Sequence, residues 1–335
     1  MPRNIVERAN LVANAPLNLG GRTIFSKELP VGEGWHRLII RFSNIVTVGT
    51  GTTPLTATLG QYQIIRNLLL KTDRGEQPVN WPGKAFYFKN WIDYGSPPRS
   101  TTLAAATGTY TAMLVIPFVD RKLKRPNDTI LDTSRYSSVT LEINYGTIAD
   151  LLGVPGTATM TATVDIDVVR DRGFLDDDAK PAYHIAYDFR QPVDASVTTS
   201  IDLEKSPDLS IKRIFVNATT SGTAGLPFYG TPSDAVLLSY NLKDQSSFLW
   251  QSVFWNMVRD DNAEYYGLEA TTVAGIYQLG IPGLNVISFL ASGDSLFSSL
   301  YTGDKSLLSL AWTNSGSPGA NSIVTLATEG IRTLK

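Results

Sequence analysis

The chain contains no cysteine, which removes disulfides, thiolate nucleophiles and cysteine zinc sites together. Histidine is nearly as scarce, with only His36 and His184 in 335 residues. Neither has a serine or aspartate motif beside it, so neither nominates a catalytic triad. No apolar run is long enough for a membrane-spanning helix, and the opening MPRNIVERANLVANAPLNLGG lacks a signal-peptide core. That predicts a protein made and kept soluble in a cytosol. One-sided charge is also missing: the net charge is −2, so no global field advertises nucleic acid or lipid. Gly32-x-Gly34 and Gly49-x-Gly51 lack the third glycine and the following helix of a dinucleotide site, and no phosphate-binding GxxxxGK occurs. No cofactor and no metal are expected.

What the chain does have is β-pattern. Hydrophobic residues make up 43% and charged residues 18%, a composition suited to a globular protein with much covered surface. In Ser137 to Tyr145, Val139, Leu141, Ile143 and Tyr145 alternate with Ser138, Thr140, Glu142 and Asn144, so one face is apolar. Thr157 to Val169 alternates in the same way. Further strands are predicted over Thr23 to Leu29, Trp35 to Val46, Gln61 to Lys71, Lys84 to Ile92 and Gly108 to Pro117. Beyond residue 182 they are predicted over Tyr183 to Phe189, Ser196 to Leu203, Ser210 to Asn217, Ala235 to Leu242, Gly275 to Ile281, Leu307 to Trp312 and Ser322 to Thr328.

Helical signals are short. Thr147 can cap Ile148 to Leu152, and Val119 to Lys124 can add one turn. In Ser246 to Arg259, Trp250, Val253, Phe254 and Met257 fall at helical spacing and predict an amphipathic helix.

Landmarks recur in order. Ile116-Pro117 returns as Ile281-Pro282, Leu141 as Leu310, Pro30-Val31 as Pro192-Val193, and Ile64 to Leu68 as Ile211 to Phe215. A chain of this length exceeds one ordinary core, and the recurrence says where to divide it. The expectation is an N-terminal arm over 1–20, a first unit over 21–172, a charged linker over 173–182 and a second unit over 183–335. Each unit fits an eight-stranded antiparallel jelly roll with a few short helices, an all-β double jelly roll.

The search for chemistry yields little. Asp165 and Asp167 share one side of a strand about 7 Å apart, a spacing glycosidases use, but their row is otherwise threonine, as on a wet sheet face. Asp176 to Asp178 lack the turn residues of a calcium loop. Ile130-Leu131-Asp132-Thr133-Ser134 resembles an aspartic-protease loop, but the second half has no matching aspartate at Leu300 to Gly303. Arg121, Lys122, Lys124 and Arg125 form a basic cluster without interleaved aromatics for base stacking; it reads as a subunit contact or a solvated loop.

The runs Ile116 to Arg121, Asp128 to Ser134 and Tyr136 to Ile143 resemble those of the double jelly-roll major capsid proteins of tailless icosahedral viruses, many with an internal membrane. That resemblance implies no enzyme. It implies a homotrimer that forms a pseudo-hexameric capsomer, contacts neighbouring capsomers and minor or penton proteins, and is assembled in the host cytoplasm into a virion. It further implies an inward-facing arm in which Arg3 and Arg8 approach an internal lipid membrane, with no sequence-specific nucleic acid bound. Two other readings remain open at this stage. One is a secreted glycan-releasing amidase built from two rolls; the other is a carbohydrate- or receptor-binding viral spike.

Overall fold

The computed structural model describes residues 6–20, 24–52, 60–100, 107–120, 126–152, 155–172, 183–220, 230–268, 271–273, 276–278, 280–289, 299–316, 318 and 322–333. The chain divides into two compact units. Unit 1 comprises Met1–Asn90, Pro98–Tyr187 and Ile331–Lys335, and unit 2 comprises Trp91–Pro97 and Asp188–Gly330. The division falls inside a strand, at Tyr187/Asp188; the linker expected over 173–182 lies outside the described residues.

The first unit carries β1 (Val6–Leu17), β2 (Phe25–Leu29), β3 (Gly34–Thr47), β4 (Ile65–Thr72), β5 (Val79–Trp81), β6 (Gly108–Pro117), the two-residue β7 (Leu131–Asp132), β8 (Val139–Tyr145) and β9 (Thr159–Asp171). Its helices are α1 (Gly60–Gln63), α2 (Gly83–Tyr94), which runs on into unit 2, and α3 (Ile148–Leu152). One sheet has the order β1-β9-β3-β6 and the other β2-β8-β4-β5. Alternation along β8 buries Val139, Leu141, Ile143 and Tyr145, as the sequence pattern predicts, together with Phe42, Ile40 and Leu38 of β3. Phe42 stacks on Tyr145 at 5.6 Å, and the Tyr145 hydroxyl donates to Asn44 Oδ1 at 2.7 Å.

The second unit carries β10 (Tyr183–Asp194, entering from unit 1), β11 (Ser200–Asp202), β12 (Leu209–Thr220), the short β13 (Thr231–Pro232), β14 (Leu237–Asp244), β15 (Ser247–Phe254) and α4 (Trp255–Tyr265). After these come the small pair β16 (Thr271–Val273) and β17 (Ile276–Gln278), then β18 (Leu284–Ser288), the short β19 (Leu300–Tyr301), β20 (Leu308–Asn314) and β21 (Ile323–Thr333). Its sheets run β10-β21-β12-β18 and β11-β20-β14-β15. When the eight principal strands of each unit are counted in chain order, both units give the sheet orders 1-8-3-6 and 2-7-4-5. That is one Greek-key roll used twice, with a helix between the fifth and sixth strands each time.

Topology therefore supports the repeat, but only one sequence landmark marks equivalent places. Leu141 and Leu310 both lie on the seventh strand. Ile116-Pro117 closes the sixth strand of its roll, whereas Ile281-Pro282 precedes it. Pro30-Val31 follows a second strand while Pro192-Val193 lies in a first, and Ile64 to Leu68 enters a fourth strand while Ile211 to Phe215 lies in a third.

Three local expectations are also corrected. Within the stretch expected as an N-terminal arm, Val6–Leu17 is strand β1, hydrogen-bonded along β9 from Val6↔Asp171 to Leu17↔Ala162. Lys84 to Ile92 is helix α2, not a strand. Its residues are almost all buried, so no exposed face imposes a 3.6-residue period, and its aromatic content resembles strand composition. Proline and glycine bracket it. The Ala85 amide donates to the Pro82 carbonyl at 3.0 Å, and Gly95 just past its end has φ +69, the left-handed cap that glycine adopts without strain. Ser246 to Arg259 is half strand and half helix. A bulge in β15, where Ser252 has φ 49 and its amide donates to Asn241 Oδ1 at 2.7 Å, breaks the two-residue period and imitates helical spacing.

Candidate interaction surface

Of the carboxylates that drew attention in the sequence, Asp176 to Asp178 lie outside the described residues, and the others are engaged in structure. Asp167 accepts from Arg8 Nε at 2.7 Å and from Asn10 Nδ2 at 2.8 Å, and Asp165 accepts the Asn14 amide at 2.7 Å. Both acids thus hold β1 against β9. Asp132 caps the turn Thr133–Arg135, accepting from the Ser134 amide at 3.0 Å and Arg135 Nε at 3.1 Å. Among the described residues no group of three or more His, Asp or Glu is placed to hold a metal. Arg3, Arg121, Lys122, Lys124 and Arg125 lie outside the described residues, and Arg8 is ion-paired with Asp167.

One carboxyl is well displaced. Burial pushes Asp188 up to about 6, reinforced by the Glu204 carboxylate and opposed by Arg190, whose guanidinium lies 3.6 Å away. The folded chain keeps a proton there that an ordinary aspartate releases near pH 4. The stability linked to this group is therefore full below about pH 4 and falls as pH rises to about 6. Asp188→Asn is expected to flatten that part of the stability profile and to stabilise the protein at pH 7 by about 1–3 kcal/mol, read by urea denaturation across pH.

The helix between the fifth and sixth strands does the same work in both rolls. In α2, Asn90 Nδ2 donates to the Val115 carbonyl at 2.8 Å and Asn90 Oδ1 accepts the Val115 amide at 2.9 Å. In α4, Asn262 Nδ2 donates to the Val286 carbonyl at 3.0 Å and Asn262 Oδ1 accepts the Val286 amide at 2.6 Å. Each asparagine imitates a neighbouring strand and closes part of the outer edge of a sixth strand, β6 or β18. The asparagines are 172 residues apart (262 − 90) and the valines 171 (286 − 115). The sequence carries the mark: Asn90-x-x-x-Tyr94-Gly95 returns as Asn262-x-x-x-Tyr266-Gly267, and Gly267, with φ +61, ends α4 as Gly95 ends α2. Asn262→Ala strands two buried backbone groups and is expected to cost about 2–4 kcal/mol in chemical denaturation. Asn262→Asp, which keeps the acceptor and loses the donor, should fall between.

The fifth strands differ. β5 is three residues long, with Val79 and Trp81 fully buried. β15 is eight residues long and terminal in its sheet. It exposes Phe248, Leu249 and Phe254, and the adjoining α4 exposes Met257 and Tyr265. An open groove of about 510 Å³ runs between β15, α4 and β18, with Trp250, Val253, Met257, Val258, Tyr265 and Val286 in its lining. A long apolar sheet edge in water invites pairing with another chain. This is the clearest interaction surface among the described residues.

No family model matches the sequence, and no curated protein does. Solved structures do match. The major capsid protein of Sulfolobus turreted icosahedral virus has TM-score 0.67 at 14% identity, covering 97% of this chain and 96% of that chain. The major capsid protein of bacteriophage PM2 has TM-score 0.56 at 12% identity, covering 98% of each chain. The Faustovirus major capsid protein has TM-score 0.59 at 8% identity, covering 99% of this chain and 90% of that chain. The chain has the double jelly-roll fold of these proteins over nearly its whole length.

Proposed function

We propose that this protein is the structural subunit of an icosahedral virion shell, with no enzymatic role. The observation that carries this is the repetition of one roll, down to the asparagine clamps, along a chain whose full length matches viral capsid subunits. Three copies associate through heterologous contacts, and two like rolls per copy give a block with six corners. Such a block tiles a curved surface with few kinds of contact. Its partners are copies of itself, neighbouring blocks and minor shell proteins at the vertices, with a lipid membrane beneath the shell facing the segment that carries Arg3. The cluster Arg121, Lys122, Lys124 and Arg125 serves contacts between subunits. Assembly takes place in the host cytoplasm.

Electron microscopy of the purified protein at high concentration tests this. Threefold blocks with six lobes, or closed shells, are expected. Single chains that cleave or bind glycans would overturn it.

A further inference from the structure

Unit 1 closes the outer edge of its fifth strand. Tyr187, the last residue of its main span, pairs in parallel with Val79 of β5, and the Tyr187 amide donates to the Pro78 carbonyl at 3.0 Å. The Tyr187 ring meets Trp81 edge-on at 4.9 Å and Phe86 at 5.3 Å, with Lys89 Nζ 5.8 Å from its centre. Its hydroxyl donates to the Pro117 carbonyl at 2.6 Å. The plug comes from the opening residues of β10, the strand that begins the second roll.

The asparagine clamps set the register between the rolls. With that register, Trp81 corresponds to Val253, Phe86 to Val258, Lys89 to Asp261 and Pro117 to Ser288. All four second-roll positions line the open groove. The groove is therefore the socket that Tyr187 fills in unit 1, present again in unit 2 without a plug among the described residues. The strand that begins the first roll is β1. It is terminal in its sheet, so its outer edge is open among the described residues where that of β10 carries the Tyr187↔Val79 pairing, and it starts at Val6, which is 57% exposed.

Resting on the shell-block reading, we propose that the β15–α4 groove receives the start of β1 from a second copy of the chain. Each fifth-strand edge in the block is then covered by the strand that begins the next roll, once within a chain and once between chains. The contact is head-to-tail and closes after three copies. Charge agrees with it. Asp261 lines the groove and Glu264 is exposed on the same helix, whereas the residues ahead of Val6 include Arg3 and no acid.

Because the chain has no cysteine, engineered disulfides report the contact cleanly. The Val6→Cys/Met257→Cys and Val6→Cys/Val253→Cys proteins are oxidised and run on a non-reducing gel, with native mass measured in parallel. Bands of two and three linked chains are expected from at least one pair, and single-chain bands from each single variant. Met257→Cys linking to itself would mean that two grooves meet face to face, and would overturn the proposal. A native trimer without cross-links in either pair would overturn it while leaving the shell-block reading intact. A monomer would overturn both. As a second variant, Met257→Arg puts a bulky cation on the exposed apolar wall of the groove. It should weaken association at least tenfold with an unchanged melting temperature; undiminished association by a folded Met257→Arg protein would contradict the proposal.

Discussion

An Arg213→Ala protein is expected to lose about 3–5 kcal/mol of stability. Arg213 is buried in unit 2, where its Nε donates to Glu329 Oε2 at 2.5 Å and its Nη1 to Asp93 Oδ1 at 2.8 Å. Burial alone would lower the guanidinium pKa, but Asp93 and Glu329 overcome it and hold the group charged. Removing the arginine takes from Glu329, whose side chain is 3% exposed, the cation that it meets in the interior. The carboxylate's remaining charge, more than the lost attraction, sets the size of the effect. The control is the paired replacement Arg213→Met with Glu329→Leu, which removes both charges and should recover most of the loss. Equilibrium urea unfolding measures both. An Arg213→Ala protein within 1 kcal/mol of the parent, a threshold on the scale of an exposed ion pair, would show that the pair is solvated in solution.

Leu141→Asp should abolish the folded first roll. Leu141 has no exposed surface and lies at the centre of β8, opposite Leu70 of β4 and Lys27 of β2. The substitution deletes a core side chain and places a carboxylate in the apolar interior of the first roll. The two terms together exceed about 4 kcal/mol, a large part of the whole stability of a domain. Insoluble expression, or loss of near-UV circular dichroism, is the expected result. A soluble variant with the parent's melting curve would place Leu141 on the wrong face.

The residues that could be read in advance were those whose period is enforced by one wet face. β8 and β9 were legible because their outer rows are Thr, Ser, Glu and Asp, so alternation survives in the letters. Helix α2 was not. Burial on nearly every side erased its amphipathic period, and only Pro82 and Gly95 recorded its ends. β15 misled for the opposite reason: it is apolar on a surface that faces water in the single chain, and its bulge shifts the spacing. The repeat was visible as an idea, but of its landmarks only Leu141 and Leu310 fall at equivalent places. Ile-Pro pairs and apolar runs are common in any β-rich chain, whereas the Asn-x-x-x-Tyr-Gly segment does a job that fold geometry demands twice. The candidate surface escaped the sequence altogether, because the correspondence between the Tyr187 site and the β15–α4 groove emerges only when the two rolls are compared in structure.

Native mass spectrometry of the purified chain tests the central claim most directly, because the proposed shell subunit must associate with copies of itself. The account predicts a dominant species of three chains that returns on dilution and reconcentration. A single chain at every concentration tried would contradict it.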